Sequence, residues 1–291
     1  MLHFLTKFKD VRHYVNDYIA PKVAYWATKR VIRGYSGPLF RLQRTGDSAQ
    51  IDINFLANDK WDTAAIAAFC SVPGTIGTIA KTYDQMGSGI DFNAVGSGIT
   101  VYVGGAVQLP DYGTLGSTEQ LSGAAINLSS SQKTTLFSNV AITTNPVTSA
   151  EFIFDIGGFA INSIGLAFLF LDTVPPINNW AMDWDNGGTL NERVFGNNSL
   201  GAQQNLTMLW DNTASSAGQC SLWFNGVAQA SSPGRFTNAP SGNGPNSPIS
   251  MGARIDGTFP ITHMISPGIV LAVDDVTAQR ANVEAVLTAI L

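Results

Sequence analysis

The stretch that most constrains this chain is an apolar run from Thr75 to Ala80 that stops at Tyr83-Asp84-Gln85 and then turns on Gly87 and Gly89. Glycine tolerates backbone angles that other residues avoid, so the pattern reads as a core strand ending abruptly in a polar loop. Two readings of Tyr83, Asp84 and Gln85 follow. They are either a rim that contacts a ligand, or side chains that hydrogen-bond a tight turn from within.

The same punctuation recurs along the 291 residues. The chain has 29 glycines and 13 prolines among short Val, Ile, Phe and Thr runs, which favours many strands joined by tight turns over a helical bundle. At 45% hydrophobic and 13% charged it can bury one large core or two small ones and is too poorly charged to stay disordered. The expected class is all-β.

Charge and reactive residues exclude several functions. A net charge of -5 argues against nucleic acid, since phosphate contacts need clustered Lys and Arg. The basic residues between Lys22 and Arg44 form the one such cluster and read as a solvated element face. Cys70 and Cys220 are too few for a disulfide framework or a zinc site and are expected to be free and buried. With only His3, His13 and His263, a histidine metal site or triad has little to draw on, and no cofactor is expected.

Residues 1 to 20 carry Met1, Phe4, Phe8, Val11, Val15 and Tyr18 at spacings of three and four, one apolar seam along a helix. Lys7, Lys9, Asp10, Arg12 and Asp17 interrupt it, so it is neither a signal peptide nor a membrane span. A helix this short needs something to pack on: the chain's own body, copies of itself, or another protein. Phe4, Phe8, Val11, Val15 and Tyr18 are therefore the docking candidates. A second helix is expected from Pro21 through Val31, ended by Gly34. Then come a strand around Leu39, Phe40 and Leu42, an alternating run from Ile51 to Phe55, and a short helix from Thr63 to Cys70 capped by Asp62.

At this point several motifs stand in a specific order. Gly34-Tyr-Ser-Gly-Pro-Leu-Phe-Arg-Leu-Gln-Arg44, Asp47, Ile51-Asp-Ile53, Asp62-Thr-Ala-Ala with Phe69-Cys70, and Thr82-Tyr-Asp-Gln with Gly87 and Gly89 resemble the catalytic domain of fungal-type α-L-arabinofuranosidase B. They resemble still more closely the arabinofuranosidase-like proteins found among tailed-phage virion genes. Residues 22 to 110 carry the likeness, and the remainder shares its general layout. The resemblance implies a concanavalin A-like jelly-roll sandwich of two antiparallel sheets over residues 22–291, with residues 1–21 as a helical arm. Later runs fit it independently. Ile99 to Val103, Gly104-Gly105 and Ala106 to Leu109 read as a hairpin, Glu151 to Ile156 and Ile164 to Leu171 as core strands, and Asn225-Gly226 as a primed two-residue turn. Ile249 to Arg254 and Ile265 to Val273 are expected to close the sandwich. Asp274 or Asp275 then caps a helix with Val283, Val286, Leu287 and Ile290 on one face.

A retaining glycosidase needs two carboxyl groups about 5 Å apart. The resemblance puts Glu192 near the family nucleophile, and the ordinary alternative is a strand-edge Glu paired with Arg193 or another cation. Where the family has its acid/base Gly-Asp, this chain has Ala253-Arg254, leaving Asp256 as a displaced candidate or simply a turn residue. Asp183, Trp184, Asp185 and Asn186 offer an aromatic face beside carboxylate and amide groups, as a sugar ring requires, or else form a polar loop over a tucked Trp184. Residues 231 to 248 read as a long loop.

Two classes of function follow from the resemblance. The first is a non-enzymatic virion structural protein, assembled in host cytoplasm, whose N-terminal seam docks on its own copies or on another capsid or tail protein. The second is a glycan-active glycosidase with Glu192 as nucleophile and Asp256 or Asp183 as acid/base. Between them stands a receptor-binding lectin that contacts a host surface glycan through Asp183, Trp184, Asp185, Asn186, Tyr83 and Asp84. Neither nucleic acid, a metal nor membrane insertion is expected.

Overall fold

The computed structural model describes residues 12–26, 28–112, 120–128, 132–142, 150–157, 163–171, 177–185, 190–197, 202–211, 213–214, 220–233, 246–253 and 264–288. Its strands in chain order are β1 Val23–Trp26, β2 Phe40–Arg44, β3 Gln50–Ile53, β4 Gly77–Thr82, β5 Phe92–Val95, β6 Ile99–Val103, β7 Ala106–Tyr112, β8 Gln120–Asn127, β9 Lys133–Ile142 and β10 Ala150–Ile156. They continue with β11 Ser163–Leu171, β12 Ile177–Asp185, β13 Leu190–Asn197, β14 Gln204–Asp211, β15 Cys220–Phe224, β16 Val227–Ala228, β17 Ser231–Pro233, β18 Asn246–Met251 and β19 Met264–Ala272. Helices α1 (Thr63–Phe69) and α2 (Arg280–Thr288) and two 3-10 turns, Val15–Asp17 and Thr277–Gln279, complete the described elements.

All pairings among the described strands are antiparallel, and they trace two sheets. One runs β1-β19-β9-β14-β15-β16. The other runs β3-β2-β4-β5-β8-β18-β10-β11-β12-β13-β17. The β6–β7 hairpin joins them, pairing with β4 at one end and β19 at the other. The fold is thus the expected all-β sandwich of two antiparallel sheets.

Its core is filled by alternate residues of both inner faces. Tyr25, Leu136, Met208 and Leu271 of the first sheet meet Phe92, Phe154, Trp180 and Met251 of the second in one buried cluster. The outer face of the first sheet is buried too. Ala24, Trp26, Phe137 and Val270 lie under Val283, Val286 and Leu287 of α2 and under Val15, Ile19 and Val31 of the N-terminal segment.

That second cluster overturns the helix expected from Pro21. Val23, Ala24, Tyr25 and Trp26 are all buried in β1. A strand can bury consecutive residues when both its faces are covered, whereas a surface helix buries one stripe. Val15 is fully buried in the same cluster and sits in a short 3-10 turn over Val15–Asp17. For Val15 the chain's own body is therefore the partner, and Tyr18 packs on that cluster while bonding His13. Phe4, Phe8 and Val11 lie outside the described residues.

Other local expectations hold. Asp62 caps α1, its carboxylate accepting from the Ala65 N–H at 2.9 Å. Asn225 and Gly226 both take positive φ, 46° and 81°, which a primed turn requires. Cys70 and Cys220 are buried thiols outside any disulfide. The cap expected from Asp274 or Asp275 is not formed: a 3-10 turn over Thr277–Gln279, with Val276 at its N-cap and no side-chain cap bond, precedes α2, and the Asp275 carboxylate accepts from the Thr277 N–H of that turn. Val283, Val286 and Leu287 do lie on the buried side of α2; Ile290 lies outside the described residues. The stretch from 231 is no loop at its start, since β17 pairs with β13.

Candidate functional site

Tyr83, Asp84 and Gln85 follow β4 directly, and their roles diverge. Asp84 is 2% exposed, and its carboxylate accepts from the N–H groups of Ala24, Met86 and Ser88 and from the Ser88 hydroxyl. Gln85, also 2% exposed, accepts from the Val31 N–H at 2.7 Å and donates to the Lys29 carbonyl at 2.9 Å. Together they hold the free edge of β1, since the Gln85 N–H also bonds the Ala24 carbonyl. This is the turn-organising alternative: the Asp84 oxygens are taken up inside the fold. Tyr83 instead reaches outward, donating to Asp52 Oδ1 at 2.8 Å.

The second cluster of candidates lies on β12 and β13. The run from Trp180 to Asp185 is strand, with Trp180 and Met182 both fully buried in the core. The signal was present in the sequence as an alternation of Trp180, Met182 and Trp184 with small or polar residues. It corrects the expectation of a polar loop at 183–185. Strand parity also divides the run: positions 183 and 185 fall on one face of the ladder and 184 on the other. Asn186 and Asp256 lie outside the described residues.

Register then brings two of the candidates together. Asp183 on β12 is the direct partner of Glu192 on β13. On its other side β13 pairs with β17 only at positions 193–195. Gly165 on β11 pairs with Asp183 on one side, and Asp155 on β10 pairs with Gly165. Asp155, 2% exposed, is the carboxylate that reading the sequence passed over. Its signal is a lone charge inside Phe152-Ile-Phe-Asp-Ile156, an otherwise apolar strand. Ser250 on β18 pairs next with Asp155, and its hydroxyl donates to the Ala253 carbonyl at 2.7 Å. Positions 192, 183, 165, 155 and 250 thus form a transverse row on the face away from the core. Among the described residues no group of three or more His, Cys, Asp and Glu side chains is arranged to hold a metal ion.

Residues 14–142 match the family described as alpha-L-arabinofuranosidase B, catalytic. In fold, the chain is similar to solved α-L-arabinofuranosidases over most of its length. A mutant of such an enzyme soaked with 4-nitrophenyl α-L-arabinofuranoside superposes with TM-score 0.60 at 14% identity, over 93% of this chain and 63% of that one. An arabinofuranosidase complexed with arabinofuranosyl-α-1,2-xylobiose gives TM-score 0.56 at 14% identity, over 92% and 62%. In fold, the chain is arabinofuranosidase B catalytic-domain-like. It spans a little under two thirds of the length of these arabinofuranosidases. No protein of curated function matches the sequence.

The arabinofuranosidase-like sandwich explains why the candidate residues gather where they do. Its second sheet turns one face to the core, and the row from Ser250 to Glu192 crosses the opposite face, where Ser250 and Asp155 are buried. The turn-organising Asp84 and Gln85 lie instead against β1 and the N-terminal segment, where they determine how that segment docks.

Proposed function

We propose that this chain is a non-enzymatic structural protein of a phage particle, whose arabinofuranosidase-like sandwich contacts glycans without cleaving them. The observation that carries the reading is the turn after β18. The family's acid/base Asp belongs to a Gly-Asp pair there, and this chain has Ala253 and Arg254 at the approximate place. Neither an alanine nor an arginine side chain is a carboxylic acid, so this pair supplies no general acid in the family's place. The N-terminal residues Phe4, Phe8 and Val11, ahead of the anchored Val15, dock the domain on its own copies or on another virion protein. Assembly takes place in the host cytoplasm.

A second reading, glycan hydrolysis, is favoured by the register of Asp183 with Glu192. Directly opposed positions on antiparallel strands carry Cβ atoms about 4.5–5.5 Å apart. Retaining glycosidases hold their two carboxyl groups about 5–5.5 Å apart. Two experiments separate the readings. Mass spectrometry of the purified particle should find the protein in many copies, and its absence from any particle would sink the structural role. The pure protein should leave arabinofuranoside and arabinoxylan substrates intact. Turnover abolished by Glu192→Gln and by Asp183→Asn would make it an enzyme.

A further inference from the structure

The transverse row does not end at Ser250. Ser250 pairs with Ser122 on β8, which pairs with Asn93 on β5; Asn93 pairs with Lys81 on β4, Lys81 with Arg41 on β2, and Arg41 with Asp52 on β3. Direct partners share a face, so these residues lie on the same side of the sheet as positions 183 and 192. Their chain neighbours Phe40, Phe92 and Leu121 are fully buried in the core on the other side.

Exposure changes along the row. Ser250 is fully buried under the turn that brings Ala253 over it. Beyond it Ser122 is half-buried and Asn93 exposed, and the side chains of Lys81, Arg41 and Asp52 are 28%, 41% and 38% exposed. The closed crossing at Ser250 separates this open end from the Asp183–Glu192 end.

The open end is ordered and neutral. Arg41 grips Asp52 through Nε and Nη2 at 2.8 and 3.0 Å, and the Tyr83 hydroxyl donates to the same carboxylate. Lys81 Nζ lies 2.7 Å from Asp91 Oδ2 and 4.8 Å from the centre of the Tyr83 ring. Two cations thus meet two carboxylates, with no net charge to select an ion. A guanidinium has five N–H donors and an ammonium three. The pairing occupies two of Arg41's donors and one of Lys81's. Such exposed ion pairs contribute little to stability. They do hold the side chains in place, so a ligand need not bear the entropy of ordering them.

We infer that this patch, built on Arg41, Asp52, Lys81, Tyr83 and Asn93, is a second contact station for a neutral saccharide. Fixed donors and acceptors side by side on a charge-balanced surface suit adjacent hydroxyl groups, with no excess charge to draw an ionic ligand. From β4 to β13 the row crosses seven strand spacings, a span of about 34 Å at the usual strand separation. A short fragment engages one station, and only a long chain reaches both. The inference rests on the glycan-contacting reading above.

The test is calorimetric titration of the full chain with arabinan and arabinoxylan fragments of about three and about ten units. Long fragments should bind at least tenfold more tightly than short ones. In a chain carrying Asp183→Asn and Glu192→Gln, short fragments should still bind, and adding Asn93→Ala or Tyr83→Phe should weaken them about fivefold each. Asn93 is exposed and Tyr83→Phe keeps the ring, so folding is retained. If Asp183→Asn and Glu192→Gln abolish binding while Asn93→Ala and Tyr83→Phe change nothing, the second station is wrong and the glycan reading stands. If no version binds any fragment, the glycan reading falls and takes this inference with it.

Discussion

Asp84 Oδ1 accepts the main-chain N–H of Ala24 at 2.9 Å, linking residues 60 positions apart in the chain. The bond closes the free edge of β1, whose other edge is paired with β19. An open strand edge is a template for unwanted pairing, and here a buried carboxylate and the Gln85 main chain occupy it.

Asp84→Asn should therefore destabilise the protein by about 3 kcal/mol. The amide NH2 of asparagine would meet N–H donors where a carboxylate oxygen now accepts, leaving buried donors unsatisfied. Denaturant unfolding monitored by tryptophan fluorescence reads the loss. A change under about 0.5 kcal/mol would mean that the turn holds its shape without this side chain.

Gly268 is the register partner of Trp26, and an added Cβ there would lie 2.1 Å from Trp26 Cε3. Gly268→Ala must push the indole or the strand aside in a packed layer, at a cost of about 3 kcal/mol or more. Combining it with Trp26→Ala should recover part of the stability lost by Gly268→Ala, because the clash is removed. Strict additivity of the two losses would place the strain elsewhere.

Glu284 is 7% exposed on α2, where burial raises its carboxyl above the ordinary value of 4.5, partly offset by the Thr207 hydrogen bond and Arg280. The folded state then holds the proton more tightly than the unfolded chain. This contribution is fully present below the unfolded value and is lost as pH rises through the raised folded value. Glu284→Gln should flatten that part of the stability profile, measured by denaturant midpoints between pH 4 and 8. An unchanged profile would contradict the assignment.

Lys29 donates to the Val286 carbonyl in the last turn of α2 at 2.6 Å, and burial pushes its amine down from 10.5 to about 7. The folded state binds this proton less tightly than the unfolded chain, so stability should rise between about pH 7 and 10.5 and fall again on returning to 7. Lys29→Met should remove that rise. A Lys29 amine titrating near 10.5 by NMR would rule it out.

Much of the sandwich was legible in residue order. Alternation around Phe40 and Leu42, Asp62 before α1, Gly104-Gly105 and Asn225-Gly226 each reflect a local rule, because turn angles, caps and strand parity depend on a few neighbouring residues. The β12 strand was legible in principle through Trp180, Met182 and Trp184, but its polar alternates made it look like loop. β1 is not legible in sequence because four consecutive buried residues signal neither period, and only covering on both faces makes them a strand.

What the sequence alone determined is the set of strands, the tight turns and the shortage of groups for metal or histidine chemistry. Tertiary structure decided which residues meet. Asp84 became a clasp for β1 because pairing with β19 left that edge beside it. Asp183 and Glu192 became neighbours, and Asp155 and Arg41 members of the same row, because register across ten strands is cumulative: each ladder aligns only its two strands, and a shift of one residue anywhere would turn that row toward the core.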